Sequence, residues 1–150
     1  MREVGVTATR KGLTPAQLRA ALKWLTTRPP GRLHHGDCVG GDEQLDGLAH
    51  VAGWVVRVHP PDNPKLRAFV TLLPGDSSAE PKGYIARDDE ILDETEILLA
   101  FPKEDAEPKP ARGQGTWTVV RHARKRGIPF IIFWPDGHAT IRPPKPLTSS

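Results

Sequence analysis

Two hydrophobic periods alternate along the chain. Residues 3–9 read as a short β-rich run, after which Thr14-Pro15-Ala16-Gln17 supplies a Thr N-cap, a Pro at the first helical position and a Gln at the third. Leu18, Ala21, Leu22 and Leu25 follow at i, i+3, i+4 and i+7, one apolar helical stripe that Pro29-Pro30-Gly31 ends. Residues 32–36 predict a second strand. Gly40-Gly41-Asp42 then opens a helix with Leu45, Leu48, Ala49 and Ala52 on one face, stopped by Gly53, and residues 54–59 predict a third strand.

Residues 60–81 form an irregular, proline-bearing crossover, longer than a passive connection; either it is functional or it holds further elements. Tyr84, Ile85, Ile91 and Leu92 predict a helix over about 82–93, leading into a strand over 96–101. A polar, proline-punctuated segment, 103–112, has little apolar surface with which to anchor itself and is expected to be a mobile loop. A helix over about 116–126 ends at Gly127, and 128–134 is the most apolar stretch of the chain. A short edge strand is expected at 139–142, and a flexible Pro/Ser tail over about 143–150.

Strand and helix alternate, and apolar runs without polar alternation suit strands covered on both faces. The expected fold is therefore α/β, a three-layer sandwich with a mostly parallel central sheet and right-handed crossovers. No internal repeat and no linker divides the chain, so residues 1–150 are read as a single domain.

Composition narrows the class. The 14 Gly and 16 Pro among 150 residues make the chain turn-rich without making it low-complexity. No stretch is apolar enough to span a bilayer, and the first residues lack the apolar core of a secretory signal, so a cytoplasmic protein with no membrane partner is expected. Cys38 is the one cysteine, too few for an internal disulfide or a thiolate zinc cage. Lys and Arg number 21 against 18 Asp and Glu, and the one basic cluster, residues 121–126, falls in the last helical turn, where cations complement the helix dipole. A nucleic-acid partner is not expected.

In open α/β sheets, ligands sit outside the carboxyl ends of the strands, at helix N-termini whose free N–H groups attract anions. Residues 8–12, 36–42, 59–63 and 112–116 fall there. The turn Gly113-Gln114-Gly115-Thr116 is the sharpest of these signals, because glycines let backbone approach a phosphate and Thr116 adds a hydroxyl where a helix begins. No segment matches the GxxxxGK[ST] phosphate loop. His34-His35-Gly36-Asp37-Cys38 invites a metal reading, but adjacent strand residues point to opposite faces, and no metal site is expected there. Cys38 near a helix N-terminus has the position of a nucleophile but no assigned base, and a bystander thiol is the simpler reading. The tryptophans are read as core, except Trp117, which directly follows the glycine turn and is a candidate for stacking on a base.

Gly5-Val6-Thr7-Ala8-Thr9-Arg10, His35-Gly36-Asp37-Cys38-Val39-Gly40-Gly41-Asp42, Tyr84-Ile85-Ala86-Arg87-Asp88 and Gly113-Gln114-Gly115-Thr116-Trp117, in this order and spacing, resemble the SLOG superfamily of Rossmann-like proteins. That group includes the LOG phosphoribohydrolases once described as lysine decarboxylases, the molybdenum-cofactor carrier proteins, and small bacterial and phage members of unknown role. The resemblance covers about residues 4–134 and is closest to the small members. It implies a Rossmann-like fold, a nucleotide or phosphoribosyl ligand over the sheet edge, and a homo-oligomer; no cofactor is assigned beyond that nucleotide ligand. By the same resemblance, ligand phosphate would be held by Thr9, Arg10, Gly40, Gly41, Gly113, Gly115 and Thr116, with Arg87 assisting.

In the hydrolases the glycine turn reads PGGxGTxxE and its glutamate is catalytic. Here Ala111-Arg112 replaces Pro-Gly, and the glutamate position is Val119. Valine neither activates water nor steadies an oxocarbenium ion. The leading expectation is therefore a nucleotide- or phosphoribosyl-binding protein. Two alternatives accompany it: an N-glycosidase or phosphoribohydrolase using Asp42 or Glu43, and a carrier or accessory protein with a vestigial pocket.

Overall fold

The computed structural model describes residues 1–142, so the tail expected at 143–150 lies outside the described residues. The elements, in chain order, are β1 (Glu3–Ala8), α1 (Pro15–Thr26), β2 (Arg32–His35), α2 (Gly41–Val51), β3 (Val55–Val58), β4 (Ser77–Ser78), α3 (Tyr84–Glu94), β5 (Ile97–Phe101), α4 (Gly115–Arg126), β6 (Phe130–Phe133) and β7 (Ala139–Arg142). Strand and helix alternate as the hydrophobic periods predict. The capping box read from Thr14 and Gln17 is formed: the Gln17 N–H donates to Thr14 Oγ1 at 3.1 Å, and the Thr14 N–H to Gln17 Oε1 at 3.0 Å. The buried Gln17 amide then donates to the carbonyls of Pro102 and Phe133, tying α1 to the ends of β5 and β6.

The seven strands lie in the order β4-β3-β2-β1-β5-β6-β7. All neighbouring pairs are parallel except β6 with β7. The fold is thus an α/β sandwich with a mostly parallel sheet. Side chains alternate across it: Leu99 and Phe101 of β5 join Val4, Val6, Leu33, Val56 and Val58 beneath Ala21, Trp24 and Leu25 of α1 and Leu45 and Ala49 of α2. On the other face Leu98, Ala100, Phe130 and Ile132 meet Leu92 of α3 and Trp117, Val119, Val120 and Ala123 of α4. Three of the four tryptophans, Trp24, Trp54 and Trp117, are buried.

The crossover at 60–81 holds further elements, one of the two readings its length left open. A 3-10 turn spans Pro64–Leu66 and the two-residue β4 pairs in parallel with β3, although no apolar pattern marks it. After β4 the chain returns to the opposite side of β1 to form β5, so strand order reverses between β1 and β5. Such a switch point leaves a crevice at the carboxyl ends of the two strands.

Candidate functional site

A cavity of about 590 Å³ occupies that crevice. Its floor is the end of β1 and the turn after it, Val6 to Lys11, and its walls come from the β2–α2 loop, the first turns of α3, and the turn into α4. Thr9 is buried there by its backbone bonds: its N–H donates to the carbonyl of Phe101 at 3.0 Å, and its own carbonyl accepts from Gly41 at 2.9 Å. Its hydroxyl accepts from the Lys11 N–H at 3.2 Å. Arg10 is exposed on the rim, its guanidinium 5.4 Å from the centre of the Tyr84 ring. Arg87 approaches the same ring at 5.4 Å.

Gly113, Gly115 and Thr116 line the cavity, and α4 begins there without a side-chain cap. The first-turn N–H groups of a helix have no intrahelical acceptor and carry the positive end of its dipole. A Cβ added at Gly113 or Gly115 would meet no atom within 4 Å, so the turn borders open space. Gly113 also has φ of 78°, a left-handed backbone that favours glycine.

The other glycine pair does something else. The expectation that Gly40 and Gly41 hold ligand phosphate is corrected: neither glycine lines the cavity, and the Gly41 N–H is taken by the Thr9 carbonyl. A Cβ at Gly40 would overlap the Arg10 carbonyl, and one at Gly41 would overlap the Ala8 side chain. These glycines let the start of α2 cross closely over the end of β1. Glu43, one of the two candidate acids, is exposed and stands outside the cavity.

Asp42 lines the cavity, but its carboxylate is turned to the protein: Oδ2 accepts from the N–H groups of Gly36 at 3.1 Å and Cys38 at 3.3 Å. Burial pushes its carboxyl above the ordinary range. Asp37 is likewise taken, accepting from Arg67 at 2.7 Å and the Val70 N–H at 3.1 Å, which locks the β2–α2 loop to the 64–70 turn. Burial, followed by the Asp42 charge, also pushes the Cys38 thiol up, the reverse of an activated nucleophile.

Arg87, on the first turns of α3, is buried. It donates through Nη1 to the carbonyl of Gly36 at 2.5 Å and through Nε to Asp88 Oδ1 at 2.6 Å. It therefore clamps the ends of β2 and α3 while bordering the cavity. Trp117 borders the cavity but is 1% exposed, lies against Trp134, and donates its indole N–H to Glu104, which corrects it as a stacking platform.

Asp88 and Tyr84, quoted in the sequence only as part of a motif, and Glu104 were given no site role, yet all three line the cavity. Asp88 keeps a carboxyl pushed up by burial even though Arg87 opposes the shift. The signal for it was its place beside Arg87 at the start of a helix aimed at the crevice. His34 and His35 do face opposite sides of the sheet, His34 toward His59 and His35 toward Asp46 of α2.

No family model matches the chain, and no curated protein matches it. Among solved structures, it is similar to the molybdenum cofactor binding protein from the phototrophic bacterium Rippkaea orientalis, with a TM-score of 0.64 and 20% identity over 89% of this chain and 78% of that one. This likeness shows that the fold is Rossmann-like. A structural-genomics target designated TM1055 aligns with a TM-score of 0.49 and 14% identity over 83% of this chain and 81% of that one.

Proposed function

We propose that the chain binds a nucleotide or phosphoribosyl ligand at the β1/β5 crevice, with its phosphate on the Gly113–Thr116 turn. The observation that carries this reading is the uncapped start of α4 opening onto a cavity, with empty space at both glycine Cβ positions. Arg10, Lys11 and Lys103 surround the same cavity and supply the charge a phosphate needs. Asp88 and Glu104 offer carboxylate acceptors for ribose hydroxyls. Tyr84 and Ile85, the latter 70% exposed, provide an apolar rim for a base and take the role expected of Trp117. The solved neighbour is named for binding molybdenum cofactor, which supports a small-molecule ligand and identifies none.

Binding without hydrolysis is the reading that fits Val119, which lies buried at the position of the hydrolases' glutamate. A second reading, glycosidic hydrolysis, rests on Asp88 rather than on Asp42 or Glu43. Its carboxyl is in the cavity and pushed up by burial, the condition of a general acid. Calorimetric titration with nucleoside monophosphates and their parent nucleosides tests binding. The monophosphate binds and the nucleoside binds at least about tenfold more weakly, a difference of about 1.4 kcal/mol. Equal affinities contradict the phosphate assignment, and no binding of either contradicts the reading and leaves the vestigial pocket. Free base released by the wild type and lost in Asp88→Asn favours hydrolysis.

A further inference from the structure

Beneath α3, away from the cavity, the sheet face over β2 and β3 is polar where the rest of the core is apolar. Arg57 and His59, two residues apart along β3 and its end, share that face with His34 of β2. The two imidazoles are fully buried, and His34 Nδ1 lies 2.8 Å from His59 Nε2. The outer nitrogen of each ring meets a carboxylate: His34 Nε2 meets Glu3 Oε1 at 2.7 Å, and His59 Nδ1 meets Glu90 Oε1 at 2.5 Å. A carboxylate holds the N–H on the nitrogen that faces it. The inner nitrogens then face each other 2.8 Å apart as two lone pairs, a contact relieved either by a proton shared between them or by a metal ion beside the pair toward which both rings turn.

A third donor is in place. Glu94 Oε1, from the last turn of α3, lies 3.7 Å from His34 Nδ1 and 3.8 Å from His59 Nε2. A point equidistant from the three atoms is about 2 Å from each, the length of a zinc bond to nitrogen or oxygen. We infer that His34 Nδ1, His59 Nε2 and Glu94 Oε1 form a divalent-metal site of the zinc class, with water completing the shell. Glu3 and Glu90 are its outer carboxylates, orienting the rings as such groups do around metal-bound histidines. Arg57 shares Glu94 Oε1 at 2.7 Å, Lys82 holds the other oxygen of Glu90 at 2.6 Å, and Arg32 sits on Glu3 at 3.3 Å, so the carboxylates are themselves held. The ion would join β2, β3 and α3, and so fix the helix that carries Tyr84, Arg87 and Asp88.

The test is zinc and cobalt binding by the intact chain. The wild type is expected to retain one equivalent of Zn²⁺ after dialysis, to melt at a higher temperature with it, and to give visible d–d bands with Co²⁺. His34→Gln and His59→Gln each weaken uptake at least about 100-fold, and Glu90→Gln weakens it about tenfold. His122→Gln and His138→Gln, at histidines outside the cluster, leave it unchanged. If a ligand variant fails to fold, ¹⁵N imidazole spectra of the wild type decide: Zn²⁺ moves His34 Nδ1 and His59 Nε2 and leaves His35 in place. No zinc uptake by the wild type, which would mean that a shared proton bridges the rings, overturns the site. So does uptake that persists in both histidine variants, or a titration that leaves both ring nitrogens unmoved.

Discussion

At the scale of single residues, the acids and the thiol nearest the cavity are employed by the protein itself. The Asp42 carboxylate is the acceptor for two buried N–H groups, and removing it leaves both without a partner. An orphaned buried donor costs about 1–3 kcal/mol, so Asp42→Ala is expected to lower stability by about 2–4 kcal/mol in denaturant unfolding. A loss below about 0.5 kcal/mol would show that the loop is held elsewhere. Cys38 gives a second residue-level expectation. Burial raises its pKa, so at neutral pH little thiolate is present and alkylation by iodoacetamide is slower than for a free thiol. Mass spectrometry across a pH series should find the rate climbing only at alkaline pH; rapid labelling at pH 7 would contradict the burial. Glycine was legible here as a signal but not as a role. Gly40-Gly41 and Gly113-Gly115 look alike in a sequence, and only the crossing of α2 over β1 separates a packing glycine from one that borders open space.

At the scale of elements, the segment at 103–112 carries no helix or strand, in keeping with its composition, yet its contacts are specific. It is laced to α4: Arg124 pairs with Glu107 at 2.6 Å, Arg121 donates to the Pro108 carbonyl at 2.6 Å, and Trp117 donates to Glu104. Two residues of the basic cluster thus serve as a loop clamp; the cluster expected in the last turn in fact starts a turn earlier, and of the two only Arg124 lies in the last turn of α4, where it also complements the dipole. Both arginines lie partly in solvent, where such contacts contribute modestly. Replacing both with alanine is expected to speed amide exchange across 103–112 severalfold while leaving α4 itself helical. Unchanged exchange would mean that the clamp does not hold the segment. The elements with strong periods, α1 through its capping box and β5 and β6 through their apolar runs, were legible in the sequence. β4 was not, because Ser77 and Ser78 enter the sheet through backbone bonds to β3, and a backbone bond leaves no pattern in side chains. The His34–His59 pair was missed for a related reason. It depends on how β2 and β3 align, whereas sequence order suggested comparing His34 with His35.

At the scale of the whole molecule, strand order decides where a ligand is received. Reversal between β1 and β5 opens one crevice, and three helices begin around it. The alternation of strand and helix made that architecture readable in advance, and the solved neighbour shares it. The site was readable in part: the glycine turn, Thr9, Arg10 and Arg87 come together at the crevice, while Glu43, Gly40 and Gly41 do not line it. A Cβ at Gly115 meets nothing within 4 Å outside its own turn, so Gly115→Val is expected to keep the fold and to intrude on the space assigned to phosphate. It is expected to weaken monophosphate binding at least about tenfold with little change in melting temperature. Unchanged affinity would move the phosphate elsewhere in the cavity.

The central claim, a phosphate seated on the start of α4, is tested most directly by following backbone amides of the wild type by ¹⁵N–¹H NMR as a nucleoside monophosphate is added. The account predicts that the largest shifts fall on Gly113, Gly115, Thr116 and Trp117, with Arg10 and Asp88 moving at the rim. A titration that shifts none of these amides, or whose largest shifts fall on the basic groove of Arg121, Lys125 and Arg142 at the far end of α4, would contradict it.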